Sequence, residues 1–382
     1  MMRASITGVA DTAVGNLPGS SCMGLHTEAA AMALEDAGLV AGDIDGVLCA
    51  YSFTEPHLML ASVFCESFGI QPSYSTALQS GGATGCVAVM QAAALVESGM
   101  CRNVLVVMGD NRLSGMSRDK AVATLADVGH PQFERAFGVT IPALYGLVAH
   151  AYMHEYGVTE EHLAAMAVNS RTHAARNPKA QMRQPMTVAD VLASRVIASP
   201  LKLLDCCLIS DGGAAVVVSA PDSAQDTRAP IRILGTGQKN THEHLVAAPS
   251  LTAFGCYDSA AQAFGRAGVK PSDIDVAEIY DSFTITLLLE LESIGFFEKG
   301  EAGPAALKGA LDLGGILPCN THGGLMSYAH SGAAGGLFHV VEAVRQLRGE
   351  AGPRQVRDAK LGFVHGDGGI LSAHCSLVLG NA

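Results

Sequence analysis

The chain has 382 residues, 49% of them hydrophobic and only 16% charged, with 43 Gly and no Trp. That length exceeds the roughly 250–300 residues at which a single core stops growing, so two domains or two similar halves are expected, and the composition excludes a disordered chain. The net charge of −12 argues against a general nucleic-acid binder, and the ten Cys include no Cys-x-x-Cys pair that would suggest a zinc ribbon or redox motif. They read as reduced, mostly buried thiols.

The first ten residues, Met-Met-Arg-Ala-Ser-Ile-Thr-Gly-Val-Ala, lack a long apolar segment and read as a strand rather than a signal peptide. No apolar run reaches the roughly eighteen residues of a membrane span, so a cytoplasmic enzyme is expected. From Gly24 an amphipathic helix runs to Gly38, and Asp43 to Tyr51 follows as a strand. The phrase Ala37-Gly38, Asp43-Ile44-Asp45, Ser52-Phe53-Thr54 returns as Ala267-Gly268, Asp273-Ile274-Asp275, Ser282-Phe283-Thr284 at a constant offset of 230. Likewise Ser80-Gly81-Gly82-Ala83-Thr84-Gly85, opening a helix to Gly99, matches Ser331 to Gly336. The strand Val106 to Asp110 matches Phe363 to Asp367. The chain is an internal duplication of one βα-rich unit, with an N-terminal half over 1–225 and a C-terminal half over 226–382. Ala220 to Pro230 reads as the linker between them.

In the first half about a hundred residues separate Gly109-Asp110 from Ser210-Asp211, whereas the second half runs directly on. This insertion, about 111–202, carries ten Lys and Arg against seven acids, a local +3 that leaves −15 elsewhere. A basic insertion at a strand end in an acidic protein is where a phosphorylated cofactor handle would sit. Arg112, Arg183 and Lys202 are candidates for that role. His242 and His244 have no third ligand at a suitable spacing and read as a surface loop; no metal site is expected.

Two stretches concentrate reactive side chains. Tyr280 ends the strand Asp-Ile-Asp-Val-Ala-Glu-Ile-Tyr and is followed by Asp281, and strand C-termini line the ligand crevice of α/β folds. Asn320 to Gly336 holds five Gly in seventeen residues together with Asn320, His322, Tyr328 and His330. Such a loop folds closely around a reacting group or ligand.

The duplicated unit, the helix-opening Ser-Gly-Gly, Tyr-Asp-Ser-Phe, Gly-Gly with Ala-His-Ser-Gly, and the terminal His-Gly-Asp-Gly-Gly together resemble the thiolase superfamily over nearly the whole chain. The resemblance is greatest to its sterol-carrier-type thiolase and lipid-transfer branch. It implies an α/β, duplicated thiolase fold, five-layered αβαβα, at least a homodimer, and no permanently bound cofactor, with coenzyme A entering as part of the substrate. The family's nucleophilic Cys belongs to a Cys-x-Ser-Gly motif. The aligned stretch here is Leu78-Gln79-Ser80-Gly81, and Leu cannot carry an acyl group. His365 stands at the family's second Cys, Tyr280 replaces its Asn, and His330 keeps the His of the thioester oxyanion hole.

Such a site resembles the thiolase-like aldolases that shorten steroid side chains with a small OB-fold, zinc-ribbon accessory protein. The expectation is retro-aldol cleavage of a bulky β-hydroxyacyl-CoA. Tyr280 and Tyr328 would be the proton-transfer pair, His365, His322 or a neighbouring charge would activate one of them, and His330 with a second donor, Asn320 or water, would hold the thioester oxygen. The alternatives are a thiolase using Cys86, Cys319 or Ser80, with Cys86 more naturally core, and a non-catalytic acyl-CoA or lipid-binding protein.

Overall fold

A computed structural model describes residues 4–117, 119–120, 124, 128–221, 223 and 229–381. Residues 1–3 of the expected first strand, Arg118 of the basic insertion and most of the expected linker (222 and 224–228) lie outside the described residues. The strands are β1 (Ser5–Asp11), β2 (Gly46–Ala50), β3 (Tyr74–Leu78), β4 (Asn103–Asn111), β5 (Val196–Ala198), β6 (Leu201–Lys202), β7 (Asp211–Ser219), β8 (Ile231–Asn240), β9 (Val276–Ile279), β10 (Leu361–Gly368) and β11 (Ala373–Asn381). The described helices are α1 (Cys22–Ala37), α2 (Leu60–Phe68), α3 (Thr84–Glu97), α4 (Ile141–Tyr156), α5 (Glu160–Ala174), α6 (Val188–Ala193), α7 (Cys256–Ala267), α8 (Thr284–Ile294), α9 (Ala302–Leu307) and α10 (Ala334–Arg348).

The duplication is visible in the pairing. Nine of the described strands form one sheet in the order β3-β2-β4-β7-β1-β8-β11-β10-β9. Its centre is the short β1–β8 contact, Ser5 with Arg232 and Ile6 with Ile231. Moving outward, β2 runs parallel to β4 on one side and β9 parallel to β10 on the other. Where the second half would need a counterpart of β3, a single parallel bridge joins Ala277 to Cys319. Repeated glycines end repeated helices: Gly38 caps α1 at φ 67° and Gly268 caps α7 at φ 71°, the left-handed conformation that ends a helix at least cost in glycine.

Three apolar clusters build the five layers. One packs α1 and α2 on the outer face of the first half's strands, with Ala30, Phe64 and Val107 among its members. A second sandwiches α3 and α10 between the halves, joining Val106 and Val216 to Val89, Val340, Val364 and Leu377. The third covers the far face of the second half with α7 and α8, and recruits α4 and α5 from the insertion. The central helices meet almost backbone to backbone. A Cβ at Gly85 would lie 2.6 Å from the Leu337 nitrogen, and one at Gly336 2.3 Å from the Gly82 carbonyl. Both N-termini, with their unsatisfied N–H groups and partial positive charge, therefore converge on one place.

Candidate active site

Tyr280 follows β9 and points into the central helical layer, against the start of α3. A Cβ on Gly82 would lie 2.1 Å from the phenol's Cζ and 2.4 Å from the Asp367 carbonyl oxygen, so only glycine leaves room for the ring. Tyr280 Oη lies 3.2 Å from His330 Nε2, and His330 Nδ1 lies 3.1 Å from Cys207 Sγ. Cys207 arrives because the segment that follows the insertion is stitched to the second half: its amide donates to the Ser282 carbonyl at 2.9 Å, and Leu208 donates to Leu325 at 3.0 Å. His330 is held through its backbone, donating its amide to Ser210 Oγ at 2.9 Å and accepting from the Ser210 amide at 3.1 Å.

Tyr280 is 5% exposed, while His330 and Cys207 are half-buried, so the trio is reached from the Cys207 and His330 side. Burial pushes the Tyr280 phenol well above its ordinary value. Burial and then the Arg112 charge lower His330 to about 3. Burial also raises the Cys207 thiol to about 12, against the pull of Arg112. At neutral pH the three groups are a phenol, a neutral imidazole and a thiol. Arg112 is 5% exposed, with its guanidinium 4.7 Å from the centre of the Phe53 ring.

The expected pairing of Tyr280 with Tyr328 is corrected by the geometry. Tyr328 Oη donates to Asp11 Oδ2 at 2.5 Å, in a network where Arg345 and Lys179 also bind that carboxylate. Burial opposes ionisation of Asp11, but Arg345 and Lys179 hold it well below the ordinary carboxylate range. Burial and that neighbouring negative charge raise the Tyr328 phenol well above its usual value. Tyr328 ends a single π-helical turn, Gly324–Tyr328, where a plain loop is expected. The buried Asp281 carboxylate anchors this turn through the Leu325 amide at 2.6 Å. A Cβ at Gly324 would fall 2.0 Å from Asp281 Oδ2.

The remaining expected members are dispersed. Asn320, at φ 54°, spends its amide on the backbone of Ile279, donating at 2.8 Å and accepting at 2.7 Å, and so closes the edge of β9. His322 pairs with Glu278, its Nδ1 2.9 Å from Oε2, beside the Tyr328 ring. Burial works against the charge on His322, but Glu278 wins and raises its pKa, while Glu278 itself falls to about 2. His365 cannot act on Tyr280 with its ring. Side chains alternate along β10, so Val364 and Gly366 face the central helices while Phe363 and His365 face α7 and α8.

Of the expected handle-binding residues, Arg112 stands beside the trio and Arg183 is exposed. Lys202 is buried, with its ammonium on Glu160 and the Pro200 carbonyl. Ser80, Cys86 and Cys319 do not join His330. Cys86 and Cys319 are fully buried, with thiols raised well above the usual value by burial. Cys207 escaped the sequence reading. Its only signal was the Cys206-Cys207 pair four residues before the repeated Asp-Gly-Gly of β7.

Comparison with known proteins accords with this architecture. The thiolase N-terminal domain matches residues 3–222 and the thiolase C-terminal domain-like family residues 237–381. The chain is 35% identical to an acetyl-CoA acetyltransferase of Methanothermobacter thermautotrophicus over 98% of this chain and 99% of the relative. It is also 35% identical to a steroid side-chain-cleaving aldolase of Thermomonospora curvata, covering 91% of this chain and 90% of that one. Among solved structures, an Ltp2-ChsH2(DUF35) aldolase superposes with a TM-score of 0.86 at 34% identity, over 99% of this chain and 98% of that one. With both family models covering nearly all of it and the duplicated, helix-paired architecture in place, this chain belongs to the thiolase superfamily, and within it resembles the thiolase-like aldolases.

Proposed function

We propose that this protein is a carbon-carbon lyase that cleaves a bulky or branched β-hydroxyacyl-CoA by a retro-aldol reaction, giving a ketone or aldehyde and a shorter acyl-CoA. The observation that carries the reading is the Tyr280–His330 contact at the paired helix N-termini, where a phenol and a neutral imidazole can relay a proton. Tyr280 takes the proton of the β-hydroxyl as it passes its own to the His330 Nε2 lone pair. The Cα–Cβ bond breaks, its electrons go to the thioester enolate, and His330 and Tyr280 return the proton to the α-carbon. The low proton affinity of His330 keeps the lone pair free at neutral pH. Arg112 and the two helix N-termini favour the negative charge that grows on the thioester oxygen.

The likeness to the Ltp2-ChsH2(DUF35) aldolase, whose name has two components, supports an accessory partner, proposed here as an OB-fold, zinc-ribbon protein; the catalytic subunit is proposed to be a homodimer. Among the described residues no helix is long and apolar enough to cross a membrane.

A second reading, acyl transfer through Cys207, is favoured by the 3.1 Å approach of its sulfur to His330 and by the acetyltransferase relative. Against it, the thiol is raised to about 12 by burial, whereas nucleophilic cysteines work as thiolates. Incubation with a 3-hydroxyacyl-CoA bearing a quaternary β-carbon, with the partner present, is expected to release ketone and shortened acyl-CoA. Absence of both products, with an acyl mass trapped on Cys207 from a 3-oxoacyl-CoA, would replace the lyase by the transferase.

A further inference from the structure

Across the sheet from Tyr280 lies a set of groups the proposed reaction does not use. Glu290 of α8, His365 of β10 and His374 of β11 are all 0% exposed. His365 Nε2 is 3.2 Å from His374 Nδ1 and 3.5 Å from Glu290 Oε1, and His374 Nδ1 is 3.8 Å from the same oxygen. A zinc ion with bonds of roughly 2.0–2.2 Å in a tetrahedron has ligand-to-ligand edges of about 3.4 Å. The three atoms are thus spaced as three corners of such a tetrahedron.

Two independent observations point the same way. Among the described residues neither carboxylate oxygen of Glu290 has a hydrogen-bond donor, although the residue is completely buried among apolar side chains of α7 and α8. An unpartnered buried carboxylate costs several kcal/mol, and a cation is one of the few groups that offsets this. Both imidazoles, moreover, are oriented through their other nitrogens: His374 Nε2 donates to the Leu371 carbonyl at 2.9 Å and His365 Nδ1 lies 2.9 Å from Ser376 Oγ. A carbonyl only accepts, so His374 Nδ1 is left as a lone pair, 3.2 Å from His365 Nε2 and 3.8 Å from Glu290 Oε1. Outer hydrogen bonds of this kind hold metal-ligating histidines. Asp367 lies further out: among the described residues its Oδ1 has no hydrogen-bond partner and is 4.0 Å from His374 Nδ1, while Oδ2 accepts from Tyr145 at 3.0 Å.

The other His-rich cluster, Glu278 with His322 and His339, lacks the unpartnered carboxylate, because Glu278 Oε1 already accepts from the amide and hydroxyl of Thr321 at 2.9 Å. We infer that Glu290, His365 and His374 bind a divalent transition metal, with zinc matching the two-nitrogen, one-oxygen donor set. It ties α8 to the ends of β10 and β11, directly behind the Asp367 carbonyl that borders Tyr280.

The test is metal analysis of the full-length chain, expressed in zinc-supplemented medium without a histidine tag and gel-filtered in metal-free buffer. About one zinc per chain is expected, removed by a strong chelator with a fall in melting temperature and restored by zinc. Cobalt in its place should give visible ligand-field bands without the near-ultraviolet thiolate charge-transfer absorption that cysteine ligands produce. His374→Gln and Glu290→Gln should each lose the metal and His322→Gln should keep it. A parent that holds no metal would overturn the site without any variant having to fold. So would a cobalt spectrum with thiolate bands, or zinc lost from His322→Gln but kept by His374→Gln.

Discussion

Tyr280 and Tyr328 flank the same central helices, are both almost completely buried, and have opposite surroundings. The Tyr280 hydroxyl meets an uncharged imidazole, with Arg112 nearby and a half-buried opening beyond. The Tyr328 hydroxyl meets a carboxylate locked by Arg345 and Lys179, at the edge of a cavity of about 210 Å³ lined also by His322, Glu342 and Arg354. A phenol that donates to a fixed carboxylate has its proton committed, whereas one against a neutral imidazole can give a proton and take another. The difference teaches that residue type and loop membership do not make a catalytic group. The partner of the hydroxyl does.

Removing each hydroxyl in turn is the strongest way to break this comparison. Tyr280→Phe keeps the ring against Gly82 and should lower turnover on the order of 100-fold or more, as loss of a general acid or base does, with acyl-CoA affinity little changed. Turnover above about a third of the parent's, at unchanged melting temperature, would take Tyr280 out of the mechanism. Tyr328→Phe should do the reverse. Losing its hydrogen bond to the charged Asp11 should cost about 1–3 kcal/mol of stability by denaturant unfolding, while turnover stays within a few fold. A large fall in turnover with intact stability would return Tyr328 to the proton-transfer pair.

The smallest effect sharpens the comparison by pH. His322 has a raised pKa in the folded protein, so its contribution is fully present below its ordinary value of 6.5 and is lost as pH rises through the folded value. Glu278 is lowered to about 2, so its contribution holds above its ordinary 4.5 and is lost as pH falls toward 2. The stability gap between parent and His322→Gln should therefore be widest between pH 4.5 and 6.5 and narrow toward pH 9, which thermal unfolding across pH measures. A gap that widens with rising pH would mean that His322 is neutral in the folded protein, and that the polar layer behind Tyr328 is arranged differently.

Much was legible because it rests on short-range rules. The offset of 230 between two copies of Ala-Gly, Asp-Ile-Asp and Ser-Phe-Thr reads as one repeated pattern, and β2 beside β4 and β9 beside β10 share the same parallel pairing. Gly38, Gly268 and Gly349 ended helices for a reason contained in the residue itself, its access to positive φ. Tyr280 at a strand end, His330 in the glycine-rich loop and Arg112 at the start of the insertion were all singled out and do come together. Their closeness follows from the duplicated architecture, which brings strand ends and helix N-termini to one level.

What only the tertiary structure decided is which atom each side chain faces. Sequence neighbours Tyr328 and His330 diverge because the π-turn points one toward Asp11, more than three hundred residues away in the chain, and the other toward Cys207, just past the insertion. Asn320 turns to the Ile279 backbone because β9 is left without a full outer neighbour. His365 faces away because strand alternation sends it to the side of Phe363, and there it meets Glu290 and His374 from separate elements. Local pattern thus determined the units and their ends, since backbone preferences and periodicity act over a few residues. The choice of partner for each buried polar group depended on which unit packed opposite, and that is set by the burial of the whole chain at once.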